Sequence, residues 1–544
     1  MGTPPSPSSA PAFIRGLLRA DAYDHAVDSP TLSETHISWV ILTGRYVYKI
    51  KKPVNFGFLD FSTLERRRFF CAEELRLNGR LAPQLYLDVV AICGDADSPV
   101  VNGDGEAFEY AVKMRQFDPA QSFEQLLADG RLNMEHMRQT AEVIARFHRH
   151  IAVAGTDSEF GSVEAIAQPV LENFQQLRDA AGTLLSETDS EALTRLEAWS
   201  QQAIDTLGPV FEYRRARGFV RECHGDLHLG NIVLWQGKVV PFDGIEFSAS
   251  LRWIDVLNEL AFTLMDLDEH RRPELSRSLL NHYLGQTGDY RHLELLRFYR
   301  VYRAMVRAKV AALRLAQSDN ANRQHSEPLA QIHNYIQIAR DYTGTALPRL
   351  LITHGLSGSG KSTVAQALCQ QRDIVQLRSD VERKRLFGLD AHQSSGSGID
   401  DGIYTDSASQ QTYALLRDLA AAVLQAGYSV IVDAAFLKHA QRQAFRELAA
   451  ELQVPFLIVS CRLHESLQRE RIQARAEQAS DASEADPSVL EHQLKTQQPL
   501  GDHELDCCIT VDTGDTTDTA TIIDWFDRQC ADTTRNILPP RSIT

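Results

Sequence analysis

Gly355-Leu356-Ser357-Gly358-Ser359-Gly360-Lys361-Ser362 is the stretch whose reading decides how the second half of this chain folds. Two glycines with four residues between them, followed by Lys and Ser, fit a phosphate-binding loop. Glycines let the backbone curl so that successive N–H groups point inward at a polyphosphate. The flanks agree: Leu350–Thr353 is a short apolar strand after Pro348, and Thr363–Gln371 is a helical run whose N-terminus faces the anion. The expected nucleotide contacts are Gly355, Ser357, Gly358, Ser359, Gly360, Lys361, Ser362 and Thr363, with the Ser362 hydroxyl also a ligand for Mg²⁺.

Downstream, apolar runs at Ile374–Leu377, Ser429–Val432, Phe456–Ser460 and Cys508–Val511 alternate with helical segments. That pattern predicts an α/β domain with a mostly parallel sheet. Ligands of such sheets bind beyond the strands' C-terminal ends, and charged residues fall there. Asp433 ends one strand, where a metal-holding acid of the Walker-B type or a substrate-positioning Asp belongs, and Asp380 and Arg383 follow another. Arg469, Arg471 and Arg475 lie on a helix entering the polar stretch 476–488, which suits a lid whose arginines clamp phosphates. The Gly/Ser-rich 394–398 is expected to form a loop beside the site.

Upstream, Ile37–Leu42 and Tyr46–Ile50 read as a hairpin around Thr43-Gly44-Arg45, with Lys49 and Lys51 on one face of the second strand. Ser62-Thr63-Leu64-Glu65 is a capping box opening a helix to about Leu81, which carries Glu73 and Glu74. Leu85–Cys93 and Phe108–Arg115 are further strands, and helical stretches follow from about residue 121. His224-Gly225-Asp226-Leu227-His228-Leu229-Gly230-Asn231 then precedes a short hairpin ended by Asp243. A kinase catalytic loop requires an Asp to accept a proton, an Asn five residues on, and a second Asp on the next hairpin to hold Mg²⁺. Asp226, Asn231 and Asp243 meet that order.

On these motifs, residues of about 35–340 resemble the aminoglycoside phosphotransferase-like branch of the protein-kinase fold, an α+β two-lobed architecture. The resemblance implies that Asp226 is the catalytic base and that Asn231 and Asp243 hold the metal. It also implies a strand lysine, best matched by Lys49 with Lys51 as rival, paired with a helix glutamate, best matched by Glu73. Two features depart from that branch: Gly44 stands alone where a Gly-rich loop belongs, and the metal hairpin reads Asp243-Gly244-Ile245. Residues of about 349–530 resemble P-loop small-molecule and polynucleotide kinases, which implies Asp380 as base and Arg383 as an acceptor-binding residue. Together the halves resemble a bacterial fusion of a phosphotransferase-like domain with a P-loop ATP-binding domain.

Length permits three or four domains, and two large ones suit the motifs. The expected division is a disordered tail over 1–12, the kinase-like domain over 13–342, a linker over 343–348, the P-loop domain over 349–530 and a tail over 531–544. The net charge of −16 argues against general affinity for nucleic acid or acidic membranes. No apolar run approaches the roughly 20 residues of a spanning helix, and no signal-peptide core is visible. Eight cysteines without metal-finger spacing read as reduced thiols of a cytoplasmic protein. The expected function is an ATP- and Mg²⁺-dependent phosphotransferase with two nucleotide sites and small hydroxyl-bearing acceptors. The alternatives are an ATP-binding regulator with one catalytic half, or a polynucleotide 5′-kinase in the second half.

Overall fold

Strand residues alternate between faces, so Tyr46-Val47-Tyr48-Lys49-Ile50-Lys51 sends one set of side chains each way. The computed structural model describes residues 10–57, 59–317, 326–344, 347–391, 393–397, 401–478, 483–484, 486–514 and 519–536. Its first sheet contains β1 (Thr31–Glu34), β2 (Ser38–Leu42), β3 (Tyr46–Lys51), β4 (Tyr86–Gly94), β5 (Pro99–Val101) and β6 (Glu109–Arg115). The strands run antiparallel in the order β1-β2-β3-β6-β4-β5. On one face Tyr48 and Ile50 pack with Ala10, Ile14, Leu17 and Tyr23. On the other, Val47 packs with Cys71, Val112 and Met114, beneath the helix Leu64–Asn78. Lys49 and Lys51 share this inner face. The helix starts one residue later than the sequence reading places it, with Thr63 as the cap accepting from the Arg66 N–H at 3.3 Å.

The second lobe of this unit is mainly helical. It carries two short antiparallel ribbons: β7 (Val220–Glu222) pairs with β10 (Trp253–Asp255), and β8 (Ile232–Trp235) with β9 (Lys238–Pro241). Gln236 and Gly237, both at positive φ, make the tight β8–β9 turn. The unit is α+β with a strand-rich and a helical lobe, as expected.

The other unit is α/β. Its strands β11 (Leu350–His354), β12 (Ile374–Arg378), β13 (Ser429–Asp433), β14 (Phe456–Arg462) and β15 (Cys508–Asp512) are all parallel, in the order β12-β13-β11-β14-β15. The five expected strands are therefore present within two residues of their predicted ends.

Packing divides the chain into residues 1–266 with 302–336, and 267–301 with 337–544. Segment 267–301, which the sequence reading assigns to the first domain, belongs with the P-loop sheet. The reason is visible at β12, an edge strand with unpaired backbone groups. The Asn281 side chain, on the helix Pro273–Thr287, accepts from the Gln376 N–H at 2.7 Å and donates to the Ile374 carbonyl at 3.1 Å. One amide thus supplies both hydrogen bonds of a missing neighbour strand. Arg277 on the same helix pairs with Asp373 at 2.6 Å. Of the expected tail over 1–12, residues 1–9 lie outside the described residues, while Ala10 is buried and a helix begins at Ala12. Thr345 and Ala346 of the expected linker, and residues 537–544 of the expected C-terminal tail, also lie outside them.

Replacing Asn281 by Ala should strand the Gln376 N–H and the Ile374 carbonyl. The expected loss is about 1–3 kcal/mol of stability, read as a lower denaturation midpoint. An unchanged midpoint would remove Asn281 from this role.

Candidate active sites

In the first unit, Lys49 Nζ lies 2.5 Å from Asp243 Oδ1 and 2.9 Å from Glu74 Oε1. Lys51 Nζ meets the other Glu74 oxygen at 2.7 Å and also pairs with Glu246. Lys49 is thus the lysine that bridges the helix carboxylate and Asp243, while Lys51 is wholly buried beside the Phe61 ring. The helix partner is Glu74, which corrects the expectation of Glu73. Glu73 instead binds Arg76, at 3.0 and 2.9 Å. Helical phase is the cause: Arg67, Cys71, Glu74 and Asn78 form the face turned to the sheet, and Glu73 sits outside it. Burial alone would raise the Glu74 carboxyl, but Lys49 and Lys51 outweigh it and hold it down at about 2. Burial likewise acts to depress Lys49, and Asp243 and Glu74 reverse this, raising it well above its ordinary value.

Asp243 follows β9 with φ of 62°, a left-handed conformation uncommon for a residue with a side chain. It is held there from both sides. Its N–H donates to the Tyr86 hydroxyl at 3.1 Å, and the next N–H, of Gly244, donates to Asn78 Oδ1 at 2.7 Å.

The Asp226 loop is held by buried carboxylates. The Gly225 N–H donates to Glu259 Oε2 at 2.7 Å and the Leu229 N–H to Asp266 Oδ2 at 2.8 Å, while the Thr263 hydroxyl donates to the Leu227 carbonyl at 2.6 Å. Glu259, Thr263 and Asp266 are spaced by four and three residues on the helix Val256–Glu269, so one helix face fixes the loop. Arg303 adds a hydrogen bond to the Gly225 carbonyl at 3.2 Å and is buried. Gly225 is itself required: φ is +87°, and a Cβ would lie 2.9 Å from the Leu251 carbonyl oxygen.

Asn231 Nδ2 donates to Asp226 Oδ2 at 3.1 Å, and His228 Nε2 lies 3.5 Å from the same oxygen. Burial pushes the Asp226 carboxyl up, but His228 prevails and holds it well below the usual carboxylate range. His228 is raised in return, with Asp226 outweighing burial. Asp226, Asn231 and the Lys49–Asp243 pair thus lie on adjoining segments of one unit. Asp255 is a structural residue, paired with buried Arg214 at 2.6 Å.

In the second unit the loop after β11 curls as its glycines allow. Gly358 and Gly360 have φ of +79° and +82°, and a Cβ on Gly358 would sit 2.7 Å from the Gln468 carbonyl oxygen. Lys361 Nζ donates to the Leu356 carbonyl at 2.7 Å, folding over its own loop. Burial lowers Lys361 against the pull of Asp433. Asp433 closes β13, is buried, is hydrogen-bonded by Ser362 and accepts from Gln376 Nε2 at 3.0 Å; burial raises its carboxyl.

A cavity of about 660 Å³ brings together Lys361, Ser362, Asp380, Arg383, Asp433 and both Arg471 and Arg475. Ser357, Gly358, Gly360 and Thr363 line it too, whereas Ser359 is buried behind the loop, its hydroxyl without a hydrogen-bond partner among the described residues. Gly355 sits under the loop, where a Cβ would meet the Cys461 carbonyl oxygen at 2.5 Å. Arg469 does not join the expected lid set; it is exposed and pairs with Glu465 and Glu491. Ser397 of the expected loop lines the cavity, while Gly398 lies outside the described residues, as do 479–482 and 485 of the expected lid.

Sequence reading missed Glu74, Glu246, Glu259 and Asp266 in the first site, and Tyr404, Gln376 and Gln493 in the second. Gln493 Oε1 accepts from the Ser357 N–H at 2.8 Å, reaching the phosphate loop from the helix Pro487–Thr496. Only Glu74 had a usable signal, the spacing of Cys71, Glu74 and Asn78.

Residues 350–500 match the model of the AAA domain family. The chain is 30% identical over 450 residues to an uncharacterised protein of Mycobacterium tuberculosis and to its counterpart in Mycobacterium bovis, covering 83% of this chain and 87% of each relative. Among solved structures it is similar to choline kinase from Cryptosporidium parvum (10% identity, 58% of this chain, 90% of that one, TM-score 0.36). It is also similar to a gluconokinase from Sinorhizobium meliloti (24% identity, 35% of this chain, 96% of that one, TM-score 0.25). Among the described residues, no helix is long and apolar enough to cross a membrane.

Glu74→Gln should leave two buried lysines short of a counter-charge and destabilise the first unit by about 3–5 kcal/mol. Glu73→Gln touches a half-exposed Arg76 that keeps Glu222, so the loss should stay under about 1 kcal/mol. Chemical denaturation of both variants checks the order; equal losses would return Glu73 to the site.

Proposed function

The chain belongs to the same family as the mycobacterial proteins, and we propose that it is an ATP- and Mg²⁺-dependent phosphotransferase with two nucleotide sites serving small hydroxyl-bearing acceptors. The observation that carries this reading is the Lys49 ammonium held between Glu74 and Asp243, with Asp226 and Asn231 hydrogen-bonded on the neighbouring loop. A phosphoryl-transfer site works by positioning and charge, and this set supplies a fixed cation, hard oxygen donors and an ionised carboxylate.

In the first unit Lys49 orients the nucleotide's phosphates, and Asp226 accepts the acceptor's hydroxyl proton. Its depressed pKa keeps it ionised and ready to do so. The Asp243 carboxylate and the Asn231 amide oxygen fit Mg²⁺, which prefers such oxygen donors. In the second unit the loop N–H groups and Lys361 cradle the outer phosphates, while Arg471 and Arg475 approach them from the cavity wall. Ser362 and Asp433 are the oxygen donors there, and Asp380 is the base. Magnesium, when bound, neutralises charge on the transferring phosphoryl group.

Nucleotide titration of the full-length protein tests this. Lys361→Ala should turn two binding events into one, because the lost charge is aimed at the phosphates. Two undiminished sites would sink the assignment of the second unit. Asp226→Asn should keep nucleotide affinity and cut acceptor-dependent turnover by about 10²–10⁴-fold. Asp243→Asn should instead weaken the Mg²⁺-dependent part of nucleotide binding. The reverse pattern would exchange the two roles.

A further inference from the structure

The loop 434–438, which follows β13, lines the cavity of the second unit through Ala434, Ala435, Leu437 and Lys438. Hydrogen bonds tie this loop to the segment 498–504. The Gln498 N–H donates to the Leu437 carbonyl at 2.8 Å, and Gln498 Oε1 accepts from the His439 N–H at 2.6 Å. Buried Arg442 donates to the carbonyls of Phe436 at 3.1 Å, Gln498 at 3.2 Å and Pro499 at 3.0 Å. Its fork also closes on both oxygens of buried Glu504, at 2.7 and 3.0 Å.

Beside this seam stand two imidazoles that it does not use. His439 opens the helix His439–Glu451, and His503 lies on the short helix Asp502–Leu505. Their rings meet edge to face, with centroids 6.0 Å apart. Both residues are exposed, and no hydrogen bond reaches a ring nitrogen of either among the described residues. One nitrogen from each ring and one Glu504 oxygen lie within 4.8 Å of one another. Glu504 keeps a lone pair to give, because an ionised carboxylate offers about four acceptor positions. Oε2 takes Arg442 and the Gly501 N–H, whereas Oε1 takes Arg442 alone.

We propose that His439, His503 and Glu504 bind a transition-metal dication of the zinc, nickel or copper(II) class. Imidazole nitrogens suit these ions, whereas the all-oxygen donor sets of the two nucleotide sites suit Mg²⁺. Metal–nitrogen bonds of about 2.0–2.1 Å put tetrahedral ligand atoms roughly 3.3 Å apart. The two exposed rings close that gap by turning about their side-chain torsions, and water completes the coordination. Arg442 offsets the charge of Glu504, and Arg446, which donates to the His503 carbonyl at 3.1 Å, is a second nearby cation. The site therefore selects by donor type rather than by net charge. A bound ion adds one more tie between segment 498–504 and the helix that begins where the cavity-lining loop ends.

The test is calorimetric titration of the tag-free, full-length protein with zinc chloride and with nickel chloride, in excess Mg²⁺ to fill the all-oxygen positions. Zn²⁺ and Ni²⁺ should each bind despite the Mg²⁺. His439→Gln and His503→Gln should each weaken that binding at least about tenfold, since losing a ligand costs no less than losing a ligand's hydrogen-bond partner. Both rings are exposed, so the variants should keep the wild-type denaturation midpoint when no metal is added. Saturating Ni²⁺ should raise that midpoint in the wild type and leave the double variant unmoved. With Cu²⁺ as probe, electron paramagnetic resonance should show coupling to two imidazole nitrogens in the wild type and to one in each variant. Absence of Zn²⁺ and Ni²⁺ binding overturns the proposal, as does displacement of these ions by Mg²⁺. So does full affinity retained in either folded variant, or a wild-type copper spectrum without nitrogen coupling.

Discussion

A lysine ammonium cannot leave water without a counter-charge, and the first unit is built around two of them. Lys49 and Lys51 protrude from one face of β3 into a space otherwise lined by Val47, Cys71 and Val112. Glu74 answers both, and its second oxygen leaves each lysine room for one more partner, Asp243 or Glu246. Two cations and three carboxylates leave an excess of negative charge. Asp243 is its accessible end, with a side chain 42% exposed while Glu74 is sealed. The network therefore fixes the sheet, the helix Leu64–Asn78 and the segment after β9 relative to one another, and still presents one carboxylate outward.

The same logic of satisfying what is buried shapes the Asp226 loop. Its backbone N–H groups are taken up by Glu259 and Asp266 rather than by another strand. Burial would raise Glu259, yet His148 and the loop hold it at about 2, so it serves as a charged acceptor. A charged acceptor makes a stronger hydrogen bond than a carbonyl. The loop can therefore be irregular, as Gly225 requires, without being loose.

Much of this was legible in the sequence wherever a pattern repeats or a loop has obligatory residues. Strands β2, β3, β4, β6 and β11 to β15 follow from apolar alternation or apolar runs. By contrast, β1 (Thr31–Glu34) is short and mostly exposed, and β5 is only three residues long, so neither gives either signal. Glu73 and Glu74 are neighbours, and choosing between them requires the rotational phase of the helix, which Cys71 and Asn78 set. Glu259, Thr263 and Asp266 were invisible because their partners are backbone groups far along the chain. The cavity wall contributed by Tyr404 and Gln493 was hidden for a related reason: loops and lids are assembled by tertiary packing, with no periodicity to betray them. Segment 267–301 was misassigned because its role at β12 is carried by one side-chain amide.

That amide also sets a timetable for synthesis. The helix bearing Asn281 leaves the ribosome well before β12, whose edge it seals 95 residues later in the chain. At about 5–20 residues per second, the nascent helix waits roughly 5–20 s with its apolar side unclaimed. Residues 302–336, which pack with the first unit, are made during that interval. The second unit therefore cannot complete itself co-translationally in simple N-to-C order. Leu275, Leu279 and Leu280, buried in the finished fold, are made at the start of that wait.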